Sequence, residues 1–110
     1  MAITSAHNSG PARKLLQPRE YKIIDNQVVE ISDLIVYSFV LSGDIEDPDI
    51  FAAEPLWTWQ QSEAGCWVLE HTVQQPFWHR VIDLHSYQYR YDIIARMSTK
   101  DQTFFKLKFQ

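Results

Sequence analysis

The residues of this sequence best suited to chemistry are His79, Asp83 and His85. Two imidazoles and a carboxylate are the donor set of a non-haem iron site, and they also suit zinc. A carboxylate beside an imidazole can equally orient a general base, which would make Asp83 and His85 the start of a hydrolytic site. Residues two and four apart on a strand share a face, so an extended backbone presents all three together. It also spreads them. At roughly 3.3 Å per residue the outer two lie about 20 Å apart, too far for one ion unless the strand breaks. Asp83 and His85 can pair as neighbours, with His71 or Glu70 completing a ligand set from elsewhere in the chain. Arg90 and Arg96 belong to the same polar face. The plainer account is a solvated sheet face with no ligand, because spacing this loose arises by chance. No serine elbow, Gly-rich phosphate loop or Cys–His motif accompanies the trio, and Gly10, Gly43 and Gly65 are the only glycines. No catalytic residue, metal or cofactor is assigned on this basis.

Two further groupings carry weaker chemistry. Arg80, Arg90, Arg96, Lys106 and Lys108 can gather on a sheet, and Tyr87, Tyr89 and Tyr91 can stack bases. A regular strand turns Arg90 and Arg96 away from those tyrosines, which separates the charge from the platform. The acidic net charge of −4 also argues against bulk attraction to nucleic acid or anionic lipid. Cys66, the sole cysteine, sits beside Ala64, Trp67 and Val68 and reads as a small core residue. It excludes an intrachain disulfide and fits a reducing, intracellular compartment. No secretory leader and no membrane span is expected.

Charge is distributed in blocks. Residues 1–22 carry Arg13, Lys14, Arg19 and Lys22 against Glu20. From Ile23 to His79 there are ten Asp and Glu and no Lys or Arg. From Arg80 onward six basic residues face three acidic ones. A basic–acidic–basic chain implies complementary surfaces, within one copy or between copies, or simply a soluble acidic middle. Residues 1–20, with Gly10, Pro11 and Pro18, read as an arm that can dock on a neighbouring subunit, and residues 21–110 as a single domain. Arg13, Lys14, Arg19 and Trp57 are the candidate interface residues, Trp being enriched at hot spots.

These residues must be positioned by an α+β domain. Aromatics make up 14% of 110 residues, enough to build a core without disulfides. Tyr21–Ile24 and Val28–Ile31 read as a hairpin around Asp25-Asn26. Leu34–Leu41, apolar at every second step and between, reads as a strand buried on both faces. Pro48 or Asp49 can start a short helical turn to Ala53. Pro55 then opens the main helix, Leu56–His71, which carries Trp57, Trp59 and Trp67. The rival reading is a hairpin about Ser62–Gly65, since Gly65 in a helix costs roughly 1 kcal/mol relative to Ala. Phe77–His85, Tyr87–Met97 and Thr103–Phe109 alternate with period two, which predicts a three-stranded antiparallel meander. One face of that sheet is apolar and needs the Trp-rich helix as its cover. The other is polar and solvated.

Trp57, Trp59, Gln60, Glu63, Gly65, Trp67, Val68, Glu70 and His71, followed by Tyr89, Tyr91, Ile93 and Ala95 and by Phe105, Leu107, Lys108 and Phe109, form a pattern across the second half of the chain. In these positions the sequence resembles small uncharacterised proteins of T4-like tailed phages. The resemblance implies a virion component or accessory protein and carries over no catalytic residue. The expectation is a non-enzymatic structural or interaction protein acting through homo-oligomeric or protein-partner contacts. A small-molecule, metal or hydrolytic site around Asp83 and His85 and a nucleic-acid accessory role are the alternatives.

Overall fold

The computed structural model describes Thr4–Ser5, residues 17–83 and residues 85–110. Most of the expected arm, Arg13 and Lys14 included, lies outside the described residues. In chain order the elements are β1 (Thr4–Ser5), β2 (Glu20–Ile24), β3 (Gln27–Ser42), α1 (Pro48–Gln61), α2 (Glu63–His71), β4 (Phe77–Asp83), β5 (Gln88–Ser98) and α3 (Thr99–Phe109). The sheet order is β1-β4-β5-β3-β2, with β1 parallel to β4 and the other neighbours antiparallel. This is the α+β class that the alternating and helical segments imply.

β5 occupies the centre, and Tyr91 through Met97 are all buried. Its odd residues Tyr91, Ile93, Ala95 and Met97 meet the helical layer, which contributes Ala52, Leu56 and Trp59 from α1, Val68 from α2 and Phe105 from α3. Each large apolar side chain so buried contributes about 1.5–3 kcal/mol.

The hairpin β2–β3 turns where the sequence expects it. Asp25 and Asn26 adopt φ of 52° and 64°, the left-handed pair of a type I′ turn that Asp and Asn tolerate. Its second strand is longer than expected, because Val28–Ile31 and Leu34–Leu41 form one strand of 16 residues. Nor is Leu34–Leu41 buried on both faces. The register against β5 shifts between Ile35 and Tyr37, so Leu34 pairs with Ala95 and Tyr37 with Ile93. Val36 is the extra residue of a bulge, and the bulge lets adjacent Val36 and Tyr37 serve the same helix-side face. Ile35 and Val40 remain exposed on the other.

Two corrections concern the helices. The expected third meander strand, Thr103–Phe109, is part of α3. Ser98 caps that helix by accepting the Asp101 N–H at 3.2 Å, and Lys106 and Lys108 in the last turn suit its negative end. Phe105 and Phe109, four apart, turn inward, whereas Leu107, which a strand would have aligned with them, is exposed. The expected single helix Leu56–His71 is two. α1 starts at Pro48, which takes the first-turn role assigned to Pro55, and runs through Pro55 to Gln61. Ser62 is extended at φ −71° and ψ 163°, and its side chain accepts the Gly65 N–H to start α2. The hairpin reading of this segment is excluded.

The face of the sheet away from the helices is solvated only in part, at Ile35, Val40 and Arg90. His79, Asp92, Ile94 and Arg96 are buried there. Arg96 reaches Asp33 at 3.1 Å and Glu20 at 3.0 Å and donates to the Pro18 carbonyl. Gln17 N–H donates to Asp33 at 2.8 Å, so residues 17–20 lie against this face. Asp92 and Arg96 are buried here because each is paired.

Candidate functional site

The structure separates the trio His79, Asp83 and His85. His79, in the middle of β4, is wholly buried opposite Asp92, with Nε2 at 3.5 Å from Oδ2. Neither ring nitrogen has a hydrogen-bond partner among the described residues. Asp92 accepts instead from Ser38 Oγ at 2.6 Å and from Arg90 Nε at 3.1 Å. Asp83 closes β4 in solvent, where its carboxylate accepts the His85 N–H and the Ser86 hydroxyl, each at 2.9 Å. The backbone bond from His85 and then the Ser86 hydroxyl hold its pKa below the ordinary value. His85 lies in the turn beyond the strand and is exposed. Asp83 therefore caps a turn and His79 belongs to the interior. Among the described residues no three His, Cys, Asp or Glu side chains gather to hold a metal ion.

The basic and aromatic groups are likewise engaged elsewhere. Arg80 is on the helix side of β4, 3.1 Å from Asp49 and stacked over the Tyr89 ring. Tyr91 is buried and donates to Asp49 at 2.6 Å; burial first, then that acceptor, pushes its hydroxyl pKa up. Tyr87 sits in the turn at φ 53°. The three tyrosines thus occupy an interior, a half-buried and a turn position rather than one stacking surface. Cys66 is exposed, contrary to the core reading, with Sγ 3.4 Å from the Gln60 carbonyl.

Burial is the largest influence on His79 and lowers its pKa from the ordinary 6.5; Asp92 opposes this and Arg90 reinforces it. A lowered folded pKa means that the unfolded chain binds the proton first as pH falls. Stability from this group is therefore complete above 6.5 and declines below it, toward the folded pKa. His79→Gln removes the titration. Melting temperatures taken from pH 7.5 to 5 should fall more steeply in the wild type than in the variant. Parallel profiles would show that His79 does not titrate with folding.

A concave feature lies on the helical side. A groove of about 670 Å³ opens between α1 and α3 over β3. Val36, Tyr37 and Leu41 contribute from β3, Phe51, Pro55, Thr58 and Trp59 from α1, and Phe105 and Phe109 from α3; Ile45, Ser62 and Ala64 complete the lining. Glu54 is the one charged residue among the described lining. Positions 51, 54, 55 and 58 fall at helical spacing, so a single stripe of α1 forms the wall. Tyr37 stacks on Trp59 with centroids 6.0 Å apart, and Tyr37 and Phe51 are 41% and 57% exposed. The volume falls in the range of ligand-binding pockets.

Trp57 is the tryptophan that the core does not take. It is 63% exposed, and Ile50, two helical turns earlier on the same outward side of α1, is exposed as well. Trp59 is buried, and Trp67 and Trp78 are half-buried. Arg19, the described member of the basic interface set, pairs with Glu30 at 2.7 Å. Sequence reasoning missed Tyr37, Phe51, Phe105 and Phe109 as site residues. The signal for the last two was present: Ser98 followed three residues later by Asp101, then phenylalanines four apart, spells a capped helix. No protein-family model, no curated protein and no solved structure matches this chain.

Proposed function

We infer that the protein is a non-enzymatic interaction protein whose apolar groove between α1 and α3 receives a segment of a protein partner. The groove is the observation that carries this reading: about 670 Å³ of mostly aromatic and aliphatic lining, with Val36 at the bulge and Ser62 at the α1–α2 break among its walls. Its chemistry defines the occupant. Glu54 is the charged group among the described lining residues, and the loop before α1 adds Asp44, Glu46 and Asp47 with no Lys or Arg nearby in sequence. An apolar segment bearing Lys or Arg complements that rim. A virion or accessory role, implied by the resemblance to T4-like phage proteins, accommodates such a binding module. The Asp83–His85 and nucleic-acid readings draw less support, because Asp83 is occupied by its own turn and Arg80, Arg90 and Arg96 each face a carboxylate.

Selection of a random peptide display library on the immobilised protein tests the reading. Enriched peptides should pair bulky apolar residues with at least one Lys or Arg. Thr58→Trp, which places a ring in the groove wall, should weaken them by about tenfold or more, in line with the loss of one anchor contact. Peptides that bind the Thr58→Trp protein unchanged would locate binding elsewhere and overturn the assignment.

A further inference from the structure

The β2–β3 hairpin presents a second surface, distinct from the groove. β2 is the last strand of the sheet, and all five of its residues are exposed. Tyr21, Ile23 and Val28 are 66%, 77% and 72% exposed. By register, Tyr21 opposes Glu30 and Ile23 opposes Val28, so these side chains share the helix-side face of the ladder beyond the helices themselves. Ile24 is pushed into solvent on the other face. An exposed edge with apolar side chains is a template for another strand unless it is blunted.

The turn fixes which backbone groups are free. Ile24 and Gln27 close a two-residue turn, so they form a hydrogen-bonded pair. Alternation then turns the N–H and C=O of Lys22 and Glu20 toward β3 and those of Tyr21 and Ile23 outward.

We propose that this edge pairs with β2 of a second copy, antiparallel, about a two-fold axis that sets Tyr21 opposite Tyr21. Three observations select that occupant and register. The outward backbone groups of Tyr21 make it a hydrogen-bonded pair with its mate, and Ile23 meets the outward groups of Arg19 of the second copy. Glu20 falls opposite Lys22 of the second copy, twice by symmetry, in the non-hydrogen-bonded positions where side chains approach most closely. Arg96 already holds Asp33 at 3.1 Å, and Glu20 is half-exposed, so Glu20 has an oxygen to offer. Sliding the pair by one step either way is worse. One slide sets Lys22 against Lys22; the other sets Glu20 against Glu20, and like charges directly opposite are destabilising. The same two-fold gathers Tyr21, Ile23 and Val28 of both copies into one apolar cluster and yields a continuous ten-stranded sheet.

Sedimentation velocity over a wide concentration range is the test. The wild type should dimerise with concentration, and Lys22→Glu should weaken the dimer by about tenfold or more, since two attractive pairs become repulsive. Glu20→Lys should do the same, and an equimolar mixture of the two variants should associate again, because each then supplies what the other lacks. Thr58→Trp should leave the dimer unchanged, which separates this surface from the groove. In a Cys66→Ser background, Tyr21→Cys should cross-link under mild oxidation, hydrogen-bonded cross-strand Cα atoms being about 5.5 Å apart. Ile23→Cys should not, its mate being about 13 Å away, four residues along the strand. A wild type that stays monomeric, a dimer indifferent to Lys22→Glu, or cross-linking through position 23 rather than 21 overturns the proposal.

Discussion

Arg96→Met is expected to destabilise the protein by about 3–5 kcal/mol, the loss that follows when one partner of a buried ion pair is removed. Arg96 and Asp33 are 2% and 1% exposed in their side chains and lie 3.1 Å apart. Methionine keeps much of the stem volume but leaves the Asp33 carboxylate in the interior with the Gln17 N–H as its remaining described donor. Arg96 also holds Glu20 and the Pro18 carbonyl, so its loss unties residues 17–20 and with them the start of β2. Urea denaturation should show the full loss for Arg96→Met and a partial recovery in Arg96→Met/Asp33→Asn, where no charge is stranded. Arg96→Lys should fall between, because an ammonium cannot reproduce the guanidinium fork toward two carboxylates. Arg90→Met makes the contrast. Arg90 is half-exposed where it meets Asp92, so water replaces much of what is lost and the effect is smaller. An Arg96→Met protein within about 1 kcal/mol of wild type would mean that this face is hydrated in solution. Against a typical total of about 5–15 kcal/mol, the expected loss is a large share of the fold's stability.

The same residue shows where the sequence was legible. Alternation along Tyr89–Met97 assigns each side chain to the correct face of β5, and the Asp25-Asn26 turn follows from local chemistry alone. Alternation cannot say which faces are covered. Asp92 and Arg96 read as part of a solvated row because charged residues usually are, and their burial depends on Asp33, Glu20 and Ser38, partners as many as 76 residues away. The candidate trio failed for a related reason. Spacing placed His79 and Asp83 on one face of β4, but burial at one end and a turn at the other gave them unrelated surroundings. In the helical layer the errors were errors of period. Thr103, Phe105, Leu107 and Phe109 satisfy a strand pattern, while Phe105 and Phe109 also satisfy a helical one, and the Ser98 cap decides between them. The apolar run of β3 misled because a bulge admits a doubled apolar step that regular alternation forbids. β3 and α3 form two walls of the groove, so alternation alone does not assemble it.

Gly65→Ala is the second large effect expected, and its sign runs against helix propensity. In an ordinary helix interior the change from Gly to Ala stabilises by roughly 1 kcal/mol. Here α1 ends at Gln61, Ser62 is extended, and the first turn of α2 comes back against the α1 terminus. The Ser62 N–H donates to the Trp59 carbonyl at 3.0 Å, the Ser62 hydroxyl donates to the same oxygen, and Ser62 Oγ accepts the Gly65 N–H at 3.0 Å. A β-carbon on Gly65 would overlap the Trp59 carbonyl group and crowd the Gln60 α-carbon. These are backbone atoms, so no rotamer change relieves the clash; α2 must move from α1 or the Ser62 cap must open. The net result should be a loss of about 1–3 kcal/mol, the usual range for overpacking, measured by urea denaturation. Trp59, Ser62 and Ala64 all line the groove, so the same substitution should weaken peptides selected on it, in proportion as the two helices separate. Stabilisation by Gly65→Ala would mean that the helices stand farther apart in solution, and the break at Ser62 would then owe nothing to the glycine.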